Sequence, residues 1–157
     1  MNDVIHRIGV ISDTHGLLRP EAVQALQGVA QILHAGDVGK PEILTALAGI
    51  APVTAVRGNV DNGAWARDLP LTAVVQVGPV GIFMLHDLNE LDIQPLAAGI
   101  QVVVSGHTHQ PLIEQRRGVL YVNPGSAGPR RFRMPVTLAL LEISAAEPRA
   151  RLVPLEG

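Results

Sequence analysis

Five apolar runs in this chain each end on a polar residue able to bind a metal. Asp13-Thr14-His15 follows Ile8-Gly9-Val10-Ile11, and Gly36-Asp37 follows Ile32-Leu33-His34-Ala35. Gly58-Asn59 follows Val53-Thr54-Ala55-Val56, His86 follows Ile82-Phe83-Met84-Leu85, and Gly106-His107-Thr108-His109 follows Val102-Val103-Val104-Ser105. The first run is continuously apolar rather than alternating, the pattern of a strand covered on both faces. Parallel or mixed sheets bring the C-terminal ends of their strands to one edge, where open sheets bind ligands. The pattern therefore predicts one site assembled from five distant points.

The same pattern sets out the elements. A strand over 6–11 leads to a helix opened by Pro20-Glu21 and reaching about Gly28, then a strand over 30–34. A second helix opens at Pro41-Glu42 and runs to Gly49, followed by a strand over 52–56. Proline at the first helical position with an acidic neighbour suits a helix N-terminus. This is a β-α-β-α-β run with right-handed crossovers. Strands over 71–77 and 80–85 meet at the turn Gly78-Pro79, a short helix is expected over 91–98, and a strand over 102–105 follows. Beyond it lie β-like stretches at 111–116, 119–122, 136–143 and 151–155, with a hairpin turn at Gly118. An α/β first half and a mostly β second half predict two packed sheets flanked by helices, in one domain spanning 1–157.

Composition narrows the class. Of the 157 residues 47% are hydrophobic and 17% charged, which excludes a disordered chain. Aromatics are 3%, among them Trp65, Tyr121, Phe83 and Phe132, so the core must be aliphatic. The absence of cysteine excludes disulfides and thiolate metal sites and fits a cytoplasmic location. Met1 to Val4 carry no basic patch or long apolar stretch, so no signal peptide is expected, and no apolar run reaches the length of a membrane span. A net charge of −2, with a basic spot only at Arg130-Arg131-Phe132-Arg133, offers no face for stable nucleic-acid binding.

The polar residues at the strand ends define the chemistry. Asp13 and His15 share the i, i+2 spacing of His107 and His109. Asp37 can bridge two cations through its two oxygens, and Asn59 adds a neutral oxygen ligand. Asp13, His15, Asp37, Asn59, His86, His107 and His109 give seven N and O donors, a set suited to Mn²⁺, Zn²⁺ or Fe²⁺ over Ca²⁺. With one shared carboxylate they suffice for two ions, the usual clamp for phosphoryl transfer, with a hydroxide between the ions as nucleophile. His6 is expected to be structural or solvent-facing. His34 is expected either to support the ligands or to be a satisfied semi-buried side chain.

These motifs, in this order and spacing, resemble the calcineurin-like metallophosphoesterases. Asn123-Pro124-Gly125-Ser126 and Pro129-Arg130 resemble the small prokaryotic YfcE-type phosphodiesterases, a group that includes the retromer subunit Vps29. The resemblance implies a four-layer α-β-β-α sandwich. It implies one metal on Asp13, His15, Asp37 and His109 and another on Asp37, Asn59, His86 and His107. Mn²⁺ is the expected ion, with Zn²⁺, Fe²⁺ or Ni²⁺ as alternatives. Asp37, Asn59 and His107 are the expected catalytic residues, Asn59 also touches phosphate, and Asp61 is expected to support a histidine by hydrogen bonding. The implied activity is hydrolysis of a small, nucleotide-like phosphodiester by in-line attack. The alternatives are a phosphomonoesterase and a Vps29-like scaffold, and a homo-oligomer is compatible with either.

Two positions depart from the family pattern. Val60 stands where many relatives carry a histidine that acts as general acid, and Asp87 stands where relatives usually have glycine. Asp87 either adds negative charge near the substrate or points outward. Asn123 to Ser126 reads equally as a structural turn or a substrate contact, and Arg130 equally as a bidentate phosphate contact or a solvent-facing side chain.

Overall fold

The computed structural model describes residues 4–131 and 133–156. The reading of the N-terminus at Met1 to Asp3, and the aromatic Phe132 in the basic spot, lie outside the described residues. The elements run β1 (Ile5–Ile11), α1 (Pro20–Ala25), β2 (Gln31–His34), α2 (Pro41–Ala48), β3 (Val53–Ala55), β4 (Thr72–Val77) and β5 (Val80–Leu85). They continue with β6 (Val102–Val104), β7 (Leu112–Arg116), β8 (Val119–Asn123), β9 (Thr137–Ser144) and β10 (Glu147–Pro154). Short 3-10 turns occupy Ala64–Asp68, Leu88–Glu90 and Leu96–Ala98.

Two five-stranded sheets form, ordered β10-β9-β1-β2-β3 and β4-β5-β6-β8-β7. In the first sheet β1-β2-β3 are parallel and run to the edge, with antiparallel β9 and β10 on the other side; in the second a parallel centre β5-β6-β8 is flanked by antiparallel β4 and β7. Their inner faces meet in an aliphatic core that includes Ile8, Val10 and Leu33 from one sheet and Ile82, Met84 and Val104 from the other. On the outer face of the first sheet, Leu26 at the end of α1 and Ile43 and Leu47 of α2 are buried against Ile11, Ile32 and Leu138. The first run, predicted as a doubly covered strand, is buried over 8–11 in β1, and β5 is buried along its whole length.

Register places the site. Ile11 pairs with His34 and His34 with Ala55, so the loops carrying Asp13, Asp37 and Asn59 leave the first sheet side by side. Met84 pairs with Val104 and Val104 with Val122, which aligns the exits carrying His86 and Gly106 in the second sheet.

The helix expected over 91–98 does not form. Leu96–Ala98 is a single 3-10 turn, and Leu88, Leu91 and Ile93 cover the outer face of the second sheet through turns and coil. Pro95 lacks the amide proton a helix interior needs and biases Gln94 away from helical geometry. The sandwich thus keeps its layer order with a thin fourth layer. The helix expected to reach Gly28 ends at Ala25. The last strand begins at Glu147 rather than 151, because Pro148 sits on the edge strand β10, where its missing N–H costs no ladder bond.

The β9–β10 hairpin turns on Ala145 and Ala146 at φ 50° and 66°. Both central residues of such a tight turn favour Asn or Gly, and left-handed geometry costs other L-residues roughly 1–2 kcal/mol each. Ala145→Asn with Ala146→Gly is expected to stabilise the protein by about 1–2 kcal/mol, read as a raised urea midpoint with unchanged m. An unchanged or lowered midpoint would refute this account of the turn.

Candidate metal centre

Five of the seven candidate ligands sit in left-handed backbone: Asp13 (φ 55°), His15 (47°), Asp37 (55°), His107 (73°) and His109 (63°). Strain of this kind persists only where surrounding bonds over-determine it, and it concentrates at functional sites. Here the first two loops are zipped together. Asp13 N donates to Gly36 O, His15 N to Asp37 O and Gly16 N to Val38 O, at 2.8–3.0 Å. The turn at each strand end swings the side chain back over the sheet edge.

The side chains converge as two groups, Asp13 with His15 and His109, and Asp37 with His86 and His107. Asp13 uses Oδ2 to accept from Ser12 Oγ (2.7 Å) and the His107 amide (3.2 Å). Its Oδ1 faces His109 Nε2 at 3.3 Å, His15 Nε2 at 3.8 Å and His86 Nε2 at 4.0 Å. Asp37 uses Oδ1 to accept from the Val60 amide (3.0 Å). Its Oδ2 lies 3.2 Å from His86 Nε2 and 3.7 Å from His15 Nε2. Asp37 Oδ2 thus faces a histidine of each group, while Oδ1 is held by the Val60 amide. Asn59 Oδ1 lies 2.9 Å from His86 Nε2 and 3.2 Å from His107 Nδ1, linking Asn59 to the second group.

Donor counting shows what the cluster is built to hold. His86 Nδ1–H donates to Ala35 O at 2.7 Å, so in the neutral ring Nε2 presents a lone pair. That lone pair faces Asp37 Oδ2 and Asn59 Oδ1, which are also acceptors. Among the described residues, Asp13 Oδ1 and His15 Nε2 are buried with no hydrogen-bond partner. Buried acceptors without donors are costly, and convergent ones require a shared positive charge. Protons supply part of it in the metal-free protein. Burial opposes protonation of His86, but Asp37, the Ala35 carbonyl and Asp13 raise its pKa. Burial likewise opposes ionisation of Asp13, yet His109, His15 and Ser12 hold its carboxyl well below the usual range. Burial raises the Asp37 pKa, but His86 and the Val60 amide outweigh it and pull the value down. N and O donors of this kind fit first-row divalent cations.

The residues around these donors brace them. Asp61 accepts three backbone bonds, from Gly58 N (2.9 Å), Gly39 N (3.0 Å) and Val38 N (3.2 Å). It ties the Asp37 loop to the Asn59 loop, whereas the resemblance assigns it to a histidine. The histidine support comes instead from the Ala35 carbonyl, which sequence cannot display. Asn123 donates to Gly106 O (3.0 Å) and Thr108 Oγ1 (3.1 Å) and accepts from Gly125 N (2.9 Å). Its polar atoms are engaged in bracing the histidine loop, which favours the structural reading of Asn123 to Ser126. Ser126 Oγ adds a bond to Asp13 O. Arg130 is half-exposed and paired with Glu156 at 3.1 Å, an arrangement that gives no support to a phosphate contact. Val60 is 40% exposed beside the cluster, with no proton to give. Asp87 caps the turn at Leu88–Glu90, accepting from Asn89 N, and its Oδ2 stands 3.9 Å from His107 Nε2, so it faces the rim of the site.

His34 is fully buried, and burial pushes its pKa down from 6.5 to about 4. As pH falls below 6.5 the unfolded chain takes up a proton that the folded ring refuses. The associated stability is present above pH 6.5 and is lost between 6.5 and about 4, a loss of roughly 3 kcal/mol. Urea unfolding of the metal-free protein at pH 7 and pH 4.5 is expected to show a smaller drop for His34→Gln than for the parent. Equal drops in the two proteins would contradict this assignment.

Comparison with known proteins agrees with this geometry. The family model for the calcineurin-like phosphoesterase superfamily domain matches residues 7–146. A probable metallophosphoesterase of Methanothermobacter thermautotrophicus is 38% identical over 145 residues, covering 85% of this chain and 84% of that protein. A phosphodiesterase of Methanocaldococcus jannaschii is 26% identical over 138 residues, covering 76% and 82%. The structure of vacuolar protein sorting 29 from Cryptosporidium parvum superposes with a TM-score of 0.78 over 96% of this chain and 98% of that one, at 20% identity, a likeness of fold alone. The chain belongs to the calcineurin-like phosphoesterase superfamily.

Proposed function

We propose that this metallophosphoesterase is a two-metal phosphodiesterase. The observation that carries the reading is the convergence of Asp13 Oδ1, His15 Nε2, Asp37 Oδ2 and His86 Nε2, of which Asp13 Oδ1 and His15 Nε2 are buried without a hydrogen-bond partner among the described residues. Asp13, His15 and His109 would hold one divalent cation, Asn59, His86 and His107 the other, and Asp37 both. Such ions, Mn²⁺ foremost, supply Lewis acidity to phosphoryl oxygens and lower the pKa of water.

The protein's own part is positioning and charge. Ser12, the Val60 amide and the Ala35 carbonyl fix which atoms of Asp13, Asp37 and His86 face the centre. Asn59, partly free at the rim, is placed to donate its amide N–H to a phosphoryl oxygen.

Diester preference rests on two residues. Val60 cannot protonate a leaving group, which favours esters whose leaving groups depart as anions. Asp87 sets a carboxylate beside the rim, and a monoester dianion suffers its repulsion more than a diester monoanion. The named activity of the 26% identical phosphodiesterase supports the same choice. A scaffold role is the weaker reading, because the donor set is complete.

The test is turnover by the Mn²⁺-loaded protein of an activated aryl phosphodiester and of the matching monoester across accessible pH. The diester is expected to be hydrolysed faster, and Asp87→Asn is expected to narrow the gap. Faster monoester turnover would reassign the substrate class, and no turnover of either ester would remove the enzymatic reading.

A further inference from the structure

One buried ring joins the two loops that carry Asp13, His15 and Asp37. His34 Nε2 lies 3.0 Å from Thr14 Oγ1, and the Thr14 hydroxyl donates its only proton to Val38 O at 2.8 Å. Nε2 must therefore carry the hydrogen and donate it. On the other side of the ring, Gly36 N–H donates to Nδ1 at 3.1 Å, so Nδ1 must be bare. A single neutral tautomer satisfies every atom in this chain of bonds.

Thr14 lies between Asp13 and His15, Gly36 directly precedes Asp37, and Val38 directly follows it. We propose that His34 is a positioning residue that sets the spacing of the two carboxylate loops, and with it the affinity of the centre for its cations, through the bonds to Thr14 and Gly36. The proposal rests on the two-metal reading. His34 itself touches neither cation nor substrate. Its ring is a strut under three ligands held in left-handed backbone, where a loosened loop relaxes toward ordinary geometry and spreads the donor atoms. Supporting groups of this kind typically change metal affinity 10–100-fold when removed.

The test is titration of metal-free parent, His34→Leu, His34→Gln and Thr14→Val proteins with Mn²⁺. Calorimetry gives affinity and stoichiometry, and electron paramagnetic resonance gives the coupling between paired ions. Urea unfolding of each metal-free variant runs alongside. His34→Leu is expected to weaken Mn²⁺ binding at least tenfold and to diminish the coupled signal. His34→Gln, which can still donate toward Thr14, is expected to recover part of the affinity. Thr14→Val keeps the shape of the side chain, and combined with His34→Leu it is expected to add no further loss of affinity.

A folded His34→Leu or Thr14→Val protein that binds Mn²⁺ like the parent, whatever its stability, would overturn the proposal and leave the two-metal reading standing. A parent protein that binds no Mn²⁺ would overturn both.

Discussion

Asp37→Asn is expected to remove paired metal binding while leaving the fold in place. The amide keeps an oxygen for the Val60 N–H bond and keeps the volume of the side chain, so local packing has no reason to change. What disappears is the charge on Oδ2, the atom that lies 3.2 Å from His86 Nε2 and 3.7 Å from His15 Nε2. Burial and the like charge of Asp13 disfavour the Asp37 carboxylate while His86 and the Val60 amide favour it, so neutralising Asp37 in the metal-free protein loses the attraction of His86 but also relieves the burial cost and the repulsion. Metal-free stability should therefore shift by no more than about 1 kcal/mol, within the range of a single hydrogen bond. Diester turnover is expected to fall roughly 10²–10³-fold, the scale of losing one preorganised electrostatic group. Mn²⁺ stoichiometry is expected to fall below two. A variant that still binds two ions with parental affinity would show that the centre is not organised around this carboxylate.

Gly58→Ala is expected to damage both stability and the centre without touching any candidate ligand. A Cβ at Gly58 would overlap the backbone nitrogen and the side-chain Oδ1 of Asp37. Backbone cannot yield as the end of a flexible side chain does, so the Asn59 loop and the Asp37 loop must separate. Overpacking of this kind costs typically 1–3 kcal/mol, and here the displacement falls on Asp37 itself. Urea unfolding of the metal-free variant should show a destabilisation of about that size, and Mn²⁺ titration a loss of affinity of tenfold or more. Parental stability together with parental Mn²⁺ affinity would mean that the two loops do not meet as tightly as the structure has them.

The sequence exposed the skeleton of this site because strand ends mark themselves. An apolar run must stop where its layer stops, and residues such as Asp13, Asp37, Asn59 and His86 directly after a stop are placed at the sheet edge by the register alone. What stayed hidden is backbone conformation. Asp13, His15, Asp37, His107 and His109 adopt positive φ, a state that glycine advertises and that aspartate and histidine, although enriched there among other residues, signal only weakly. The Ala145-Ala146 turn hid for the same reason, and Pro148 then disguised the start of β10 as a break. The helix expected over 91–98 came from apolar spacing that Pro95 overrides. The supporting bonds were illegible for a different reason. Asp61 and His86 bond to backbone amides and carbonyls, which every residue carries, so no residue type signals the partner.

His34 shows how a residue left open between two roles becomes specific once its partners are known. Its two nitrogens have one donor role and one acceptor role, and the hydroxyl of Thr14 decides which is which. Burial explains its low affinity for a proton, and a second ring hydrogen would also have to displace the Gly36 amide.

The central claim is that two cations share Asp37 between the two groups of side chains. Anomalous diffraction at the manganese edge from crystals grown with Mn²⁺ tests it most directly. Two peaks are predicted, one among Asp13, His15 and His109 and one among Asn59, His86 and His107, with Asp37 within the coordination of both. A single peak, or peaks that leave Asp37 outside the coordination of either ion, would contradict the account.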